Sequence, residues 1–169
     1  MRRRGTAAAA AAVAGIMAVT GCGLVGDGET APTASPVPVV PYTRESAAME
    51  IASLARAGGL PDGDTSTAGL PKGDWQKCMA PWMGEAPAAG AAGAFDATVM
   101  RLRQHDWEIL SSHAEKDVTY RTLAKRGWKL FARHYTMKGF GPDQIVSLTA
   151  VEDGCELPRQ IRGDYEDPA

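Results

Sequence analysis

The sequence predicts an α+β fold: a small two-layer α/β sandwich with the element order α-β-α-β-β, preceded by an extra N-terminal helix. Three observations lead to this prediction. Apolar residues recur at helical spacing in residues 43–57. Residues 98–112 and 119–133 align without a gap, and both change from helical spacing to alternation at a tryptophan. Alternation returns in residues 144–152, after a turn rich in glycine and proline.

The chain begins with a pattern typical of a secretory signal. Arg2, Arg3 and Arg4 precede an apolar run at residues 7–19, and small residues follow it up to Cys22. At about 1.5 Å per residue the run spans about 20 Å, which is shorter than the roughly 30 Å hydrocarbon core of a bilayer. The pattern therefore predicts a cleaved signal, at residues 1–21, rather than a permanent transmembrane helix.

The segment Val19-Thr20-Gly21-Cys22 resembles the lipobox of bacterial lipoproteins, and the excess of arginine over lysine, 12 to 6, is similar to that of Streptomyces and other actinobacteria. The resemblance implies that signal peptidase II cleaves between Gly21 and Cys22. It also implies that Cys22 carries diacylglycerol with palmitate-type chains, which anchor the protein to the extracytoplasmic face of the cell membrane. The arginines at the start leave export by the Sec or the twin-arginine route open.

The mature chain is expected to be acidic and tethered. Removal of residues 1–21 takes away three arginines and no acidic residue, which leaves 15 basic and 20 acidic residues and a formal charge of −5. Nucleic acid is therefore excluded as an expected partner, because phosphate binding requires a basic surface. Residues 22–42 comprise the lipidated cysteine and a stretch rich in proline, glycine and threonine. This composition predicts a tether between the anchor and the domain.

The other two cysteines predict a structural disulfide. With Cys22 lipidated, Cys78 and Cys155 remain as a pair in an oxidising compartment. The alternative is a redox or metal-binding thiol pair, but the sequence has no Cys-x-x-Cys motif and no histidine cluster beside either cysteine. We therefore expect a single disulfide-stapled domain at residues 43–157, followed by a loose acidic tail at residues 158–169.

The two aligned segments predict the middle of the domain. Trp107 is equivalent to Trp128 at an offset of 21 residues, and each copy predicts a helix that runs into a strand. Asp106 and Gly127 lie at the two helix ends, where a left-handed residue is often needed, and Asp117 is a suitable N-cap for the second helix. A helix between the two strands predicts a parallel pair with a right-handed crossover, and a turn at residues 138–143 adds an antiparallel strand.

One face of the second predicted strand is the candidate ligand surface. If the tryptophan of this strand points to the helices, the other face carries two cations and two aromatic rings. Such a face suits sugar rings and anionic groups of the cell wall. The alternative is that the helix at residues 43–57 and the segment 75–82 cover it. The four residues are Lys129, Phe131, Arg133 and Tyr135.

No catalytic motif, metal-ligand spacing or cofactor motif is found in the sequence. We therefore expect a non-catalytic binding or accessory module of the cell envelope, with a wall polymer or a membrane protein as partner. One alternative is a peptidoglycan-binding module, since the doubled unit is weakly similar to sporulation-related glycan-binding repeats. Another is a small extracytoplasmic hydrolase that uses His134 or the His105-Asp106 pair.

Overall fold

The computed structural model describes residues 40–68, 70–137 and 141–165. Gly21, Cys22 and the tether up to residue 39 lie outside the described residues, so cleavage and lipidation stay predictions. The fold class is α+β, as the sequence predicts. The elements in chain order are α1 (Arg44–Ala57), a 3-10 helix (Asp74–Cys78), β1 (Met79–Pro87), α2 (Ala88–Gln104), β2 (Glu108–Glu115), β3 (Val118–Lys125), β4 (Trp128–Tyr135), β5 (Asp143–Glu152), α3 (Arg159–Arg162) and a second 3-10 helix (Gly163–Tyr165).

Helix α1 forms where its periodicity and its caps predict it. The Thr43 hydroxyl accepts a hydrogen bond from the backbone N–H of Ser46, which satisfies one of the free donors of the first turn. Gly58 ends the helix. Ile51 and Leu54 lie on the buried stripe, so burial of one apolar face stabilises the helix more than intrinsic propensity does.

Helix α2 begins at Ala88, ten residues before the first of the two aligned segments, and ends at Gln104. Its buried stripe includes Phe95, Val99 and Leu102. Asp106 adopts a φ of 66° at the end of the helix, where a left-handed residue was expected. The backbone N–H of Trp107 then bonds to the carbonyl of Leu102 at 3.1 Å, which closes the last turn and directs the chain into β2.

The sheet has five strands in the order β1-β5-β4-β3-β2, and every neighbouring pair is antiparallel. Strands β2 to β5 form a meander, while α2 carries the chain from β1 at one edge of the sheet to β2 at the other. The predicted order α-β-α-β-β and the parallel strand pair are therefore wrong. Both depended on a second helix that the structure does not contain between β2 and β4.

The expected second helix is strand β3. Val118, Thr119, Tyr120 and Thr122 are β-branched or aromatic residues, which favour a pleated and half-buried strand. The Arg126-Gly127 dipeptide has positive φ at both positions, 49° and 79°, so it forms a two-residue hairpin turn instead of a helix end. The two aligned segments are therefore not a structural repeat, because one is helix and strand while the other is a hairpin.

Strand β1 is an element that the sequence did not predict. Pro81, Gly84 and Pro87 all disfavour a central strand. The strand lies at the edge of the sheet. A proline there costs no hydrogen bond between strands if its backbone nitrogen is on the side without a neighbouring strand. Part of this edge is closed by Asp64, whose backbone exchanges two hydrogen bonds with Met83, at 2.7 and 2.8 Å.

The sheet has two faces with different coverings. On the helix-covered face, Trp128, Leu130 and Ala132 of β4 form one core with α1 and α2. The opposite side, called here the outer face, carries the alternate residues of β4. There the first 3-10 helix and α3 form a second core around Phe131. The expected arrangement with helices on one face therefore holds for α1 and α2 only.

The Cys78–Cys155 disulfide is present, as predicted. It joins the residue before β1 to a residue after β5, two strands that are direct neighbours in the sheet. Residues 159–165 of the expected loose tail are folded, because α3 places Ile161 against the outer face with only 9% of its surface exposed. None of the helices in the described parts of the chain is long and apolar enough to span a membrane.

Candidate binding site on the outer sheet face

Phe131 is buried and does not contribute to a ligand surface. It is 7% exposed and packs in the second core, where its ring meets the ring of Tyr165 edge to face at 5.6 Å. The covering comes from the first 3-10 helix and the C-terminal segment, which the disulfide holds together. The expected cover by residues 75–82 is therefore partly right. The cover by α1 is wrong, because α1 packs on the opposite face with Trp128.

Arg133 and Tyr135 lie beyond this cover and are half-buried. A single cross-strand row runs over all five strands at the level of Arg133, and it consists of His113, Tyr120, Arg133, Ser147 and Met83. Paired residues point to the same side of a sheet, so these five side chains share the outer face. Tyr135 belongs to the adjacent row, beside Ile145 of β5.

Two aromatic rings contact the Arg133 guanidinium. Its central carbon lies 5.8 Å from the ring centre of Tyr120 and 5.5 Å from that of Tyr165. The imidazole of His113 stacks on Tyr120 at 4.5 Å, with only 9° between the planes. Cation–π contacts of this kind stabilise a charged group by about 0.5–1 kcal/mol where water is still near. The rings therefore orient Arg133 and are themselves partly occupied by neighbouring side chains.

Tyr165 is a site residue that the sequence did not indicate. Burial raises the pKa of its hydroxyl above the usual value, although a hydrogen bond with Thr149 and the charge of Arg133 act in the opposite direction. The phenol therefore stays neutral at physiological pH and presents an intact ring to the guanidinium. The residue lies 32 positions after Arg133 in the sequence, in a segment whose composition predicted a loose tail.

These residues line a groove with a volume of about 370 Å³, called here the outer groove. Its apolar surface comes from Met83 at the β1 end of the row, from Ile145, and from Met137 in the loop after β4. Met83 is 53% exposed and Met137 is 46% exposed, so two large apolar side chains line the same groove. Apolar side chains that cluster on a surface are typical of binding sites, whereas single exposed ones are not. The lining of the groove also includes Arg133, Tyr135, Asp143, Ser147, Asp164 and Tyr165.

Two carboxylates also line the outer groove. Neither Asp143 nor Asp164 forms an ion pair or a side-chain hydrogen bond within residues 40–68, 70–137 and 141–165. Glu85 is exposed and pairs with Ile145 across the strands, so a third carboxylate lies on the neighbouring row. The groove thus combines one guanidinium with unpaired acids and exposed apolar side chains.

Lys129, the fourth residue of the predicted face, lies elsewhere. It borders a separate shallow depression of about 250 Å³ near the disulfide, together with Phe131 and Cys155. The predicted face is thus divided by the second core, with Lys129 on one side and Arg133 and Tyr135 on the other. Only the latter pair belongs to the outer groove.

A larger depression of about 750 Å³ lies between the end of α2 and β2. Met100 and Ile109 border it and are 57% and 40% exposed, whereas Trp107 forms its base. Arg103 and Glu108 on its rim are exposed surface residues. The outer groove is the better candidate, because its guanidinium is held by neighbouring rings and its carboxylates face the same space.

The two histidines of the hydrolase alternative lie in different surroundings, since His134 is buried and the His105 side chain is 55% exposed. His134 is 2% exposed, stacks on Phe95 at 5.7 Å and lies 2.7 Å from Gln144 Oε1 through its Nε2 atom. His105 Nδ1 lies 3.6 Å from Glu50 Oε1 on the helix-covered side. No group of three or more histidine, cysteine or acidic side chains suited to a metal ion occurs among the residues that the structure describes.

Comparison with known proteins found no relative of this chain. No protein-family profile matches the chain, and neither the curated proteins nor the solved structures gave a significant match.

Proposed function

We propose that this protein is a membrane-anchored extracytoplasmic lipoprotein and a non-catalytic binding or accessory module of the cell envelope, with the outer groove as its ligand surface. The anchor is proposed on the sequence of residues 19–22. The observation that supports a binding role is the outer groove, where Met83 and Met137 are exposed and a guanidinium contacts two aromatic rings. Flexible thioether side chains are common at surfaces that adapt to a partner.

The state of the aromatic rings favours a peptide-like partner over a wall polysaccharide. Sugar binding by stacking requires an aromatic ring with an open face. On the outer face, Tyr120 is stacked by His113, and Phe131 and Tyr165 pack against each other. Tyr135 also lines the groove but is half-buried, and the apolar side chains beside it are aliphatic or thioether. The wall-polymer alternative therefore has less support than a protein or peptide ligand.

Site-specific photo-crosslinking in intact envelopes of producing cells tests the binding role. A photoreactive residue in place of Met83 is expected to give a crosslinked product. The matched control replaces Met49, which is 68% exposed on α1, on the other side of the sheet. Equal products from positions 83 and 49, or none from position 83, would contradict the proposal that the outer groove is the ligand surface.

A further inference from the structure

Arg133 has donors that the described residues do not use. A guanidinium carries five N–H groups in a planar fork and is charged at any physiological pH. Apart from its contacts with the rings of Tyr120 and Tyr165, Arg133 makes no hydrogen bond and no ion pair with the residues described. An arginine held by rings loses less side-chain freedom when it binds an anion. This supports a role for Arg133 as the anion-binding group of the groove.

The neighbouring acids indicate which anion fits. Asp143 and Asp164 line the same groove and repel negative charge. A phosphate monoester carries a charge of about −1.5 to −2 at pH 7 and is repelled more strongly than a singly charged carboxylate. A carboxylate also matches the guanidinium fork with two parallel hydrogen bonds. The same two acids, which have no ion pair within the described chain, are suited to a cationic group on the same ligand.

The rest of the groove selects an apolar body of small size. On the outer face Met83 pairs with Ser147 of β5, Ile145 lies two residues before Ser147 on the same strand, and Tyr135 pairs with Ile145. A volume of about 370 Å³ lies near the lower end of the range for ligand clefts, roughly 300–1,000 Å³. A fatty acid would supply the carboxylate and the apolar body, but it has no group to pair with Asp143 or Asp164.

We propose that the outer groove binds the C-terminal end of a short peptide. Its terminal carboxylate lies on Arg133, an apolar side chain contacts Met83 and Ile145, and an amino group faces Asp143 and Asp164. This inference rests on the proposed binding role of the groove and adds the chemical class of the ligand.

Isothermal titration calorimetry with the full chain in phospholipid nanodiscs tests the ligand class, with empty nanodiscs as the blank. The probe is the tripeptide Lys-Ala-Leu with a free C-terminal carboxylate, compared with its C-terminal amide. Because charge-assisted hydrogen bonds are lost, the amide is expected to bind about tenfold more weakly or worse. Octanoate and inorganic phosphate are expected to bind more weakly than the free acid. Equal binding of acid and amide, tighter binding of octanoate or phosphate, or no binding of the acid would overturn the inference.

Two arginine variants assign the effect to one side chain. Arg133→Gln is expected to abolish the difference between the acid and the amide. Arg103→Gln, at an exposed position on α2, is expected to preserve it. Unfolding curves of both variants verify that they fold. If Arg133→Gln does not fold, the comparison of acid and amide binding to the wild-type protein tests the ligand class by itself. An acid–amide difference that persists in folded Arg133→Gln would overturn the assignment.

The two proposals fail in different ways. If position 83 still crosslinks a partner in envelopes but the acid peptide does not bind, the ligand class is wrong and the binding role stands. If position 83 gives no product and no probe binds, both are wrong.

Discussion

Lys125 is a charged side chain that the fold buries on the helix-covered face. Its ammonium lies 2.7 and 3.0 Å from the two carboxylate oxygens of Glu50 and 2.8 Å from the carbonyl oxygen of His105. The Lys125 side chain is 9% exposed and that of Glu50 is 17% exposed. The rings of Tyr42 and Trp107 lie 5.0 and 6.0 Å from the ammonium. The Lys125–Glu50 ion pair therefore links helix α1 to the end of strand β3.

Loss of one partner of this pair is expected to destabilise the protein. Lys125→Met leaves the Glu50 carboxylate largely buried without its cation, and we expect the free energy of unfolding to fall by about 3 kcal/mol. The matched control is Arg56→Met, because the Arg56–Asp62 pair has side chains that are 71% and 80% exposed. This control is expected to cost less than about 1 kcal/mol. Urea unfolding followed by tryptophan fluorescence measures both, and similar costs would contradict the role assigned to burial.

Tyr42 makes the same cluster sensitive to alkaline pH. Its hydroxyl donates a hydrogen bond to Glu50, and burial, followed by the neighbouring Glu50, raises the pKa of Tyr42 far above its usual value. A pKa that is higher in the folded protein gives stability that is complete below the unfolded pKa of about 10 and is lost as the pH rises above it. We expect the urea midpoint to fall above about pH 10. The fall is expected to be shallower in Tyr42→Phe, and identical slopes would show that Tyr42 is not responsible.

At the residue scale, two of the four residues predicted for the ligand surface lie in the outer groove. Arg133 and Tyr135 were found because alternation along one strand assigns residues to a face. Phe131 and Lys129 were assigned to the same surface, since a strand alone does not show what packs over it. Tyr165 and Met83 were missed for the opposite reason. They reach the groove through the tertiary fold, from a segment that resembled a tail and from a strand interrupted by prolines.

At the element scale, two glycines have opposite roles in the helices. Gly58 lies at the end of α1, where a Cβ atom would come within 2.8 Å of the Thr98 backbone on α2. Gly58 therefore allows the two helices to approach closely. Gly93 lies inside α2, and a Cβ atom added there would meet nothing within 4 Å.

The same substitution at these two glycines is expected to have opposite effects on stability. Gly58→Ala overpacks the helix contact and is expected to lower the free energy of unfolding by about 1–3 kcal/mol. Gly93→Ala removes a flexible residue from a helix interior and is expected to raise it by about 0.5–1 kcal/mol. Thermal or urea unfolding of the two variants gives the signs directly. Two changes of the same sign would refute the close approach of α1 and α2 at Gly58.

In the elements that were predicted correctly, the spacing of apolar residues and the residues at the element ends indicate the same secondary structure. Helix α1 has both its apolar stripe and its Thr43 cap, and β4 alternates between buried and half-buried residues except at Phe131. Strand β3 was mistaken for a helix because Tyr120, Leu123 and Ala124 also fit helical spacing. In the sheet, however, Tyr120 faces outward and Leu123 is buried under the helices. Local spacing alone could not decide, since the antiparallel hairpins on both sides of β3 determine its conformation.

At the scale of the whole molecule, the disulfide links the flanks of two neighbouring strands that are far apart in the sequence. Strand β1 enters the sheet first, but it pairs with β5, the last strand. Cys78 and Cys155 are separated by 77 positions in the sequence, with Cα atoms 5.8 Å apart. The chain-entropy model gives about 4.5 kcal/mol for a loop of this length. The bond also holds the cover of the outer face in place, because the 3-10 helix and the C-terminal segment meet there.

The three cysteines are therefore expected to have separable roles, one in anchoring and two in folding. Mass spectrometry of the membrane fraction should find an N-terminal peptide that begins at acylated Cys22. In Cys22→Ser no thiol can accept the lipid, so the chain is expected to retain residues 1–21. The double variant Cys78→Ser with Cys155→Ser is the matched control: it should still begin at acylated Cys22 but unfold at lower urea concentration. Two acyl chains at about 0.8 kcal/mol per buried methylene are sufficient for anchoring, so membrane attachment is expected to be the same in the double variant as in the wild type. A wild-type chain that begins before Cys22, or carries an unmodified Cys22, would contradict the anchor.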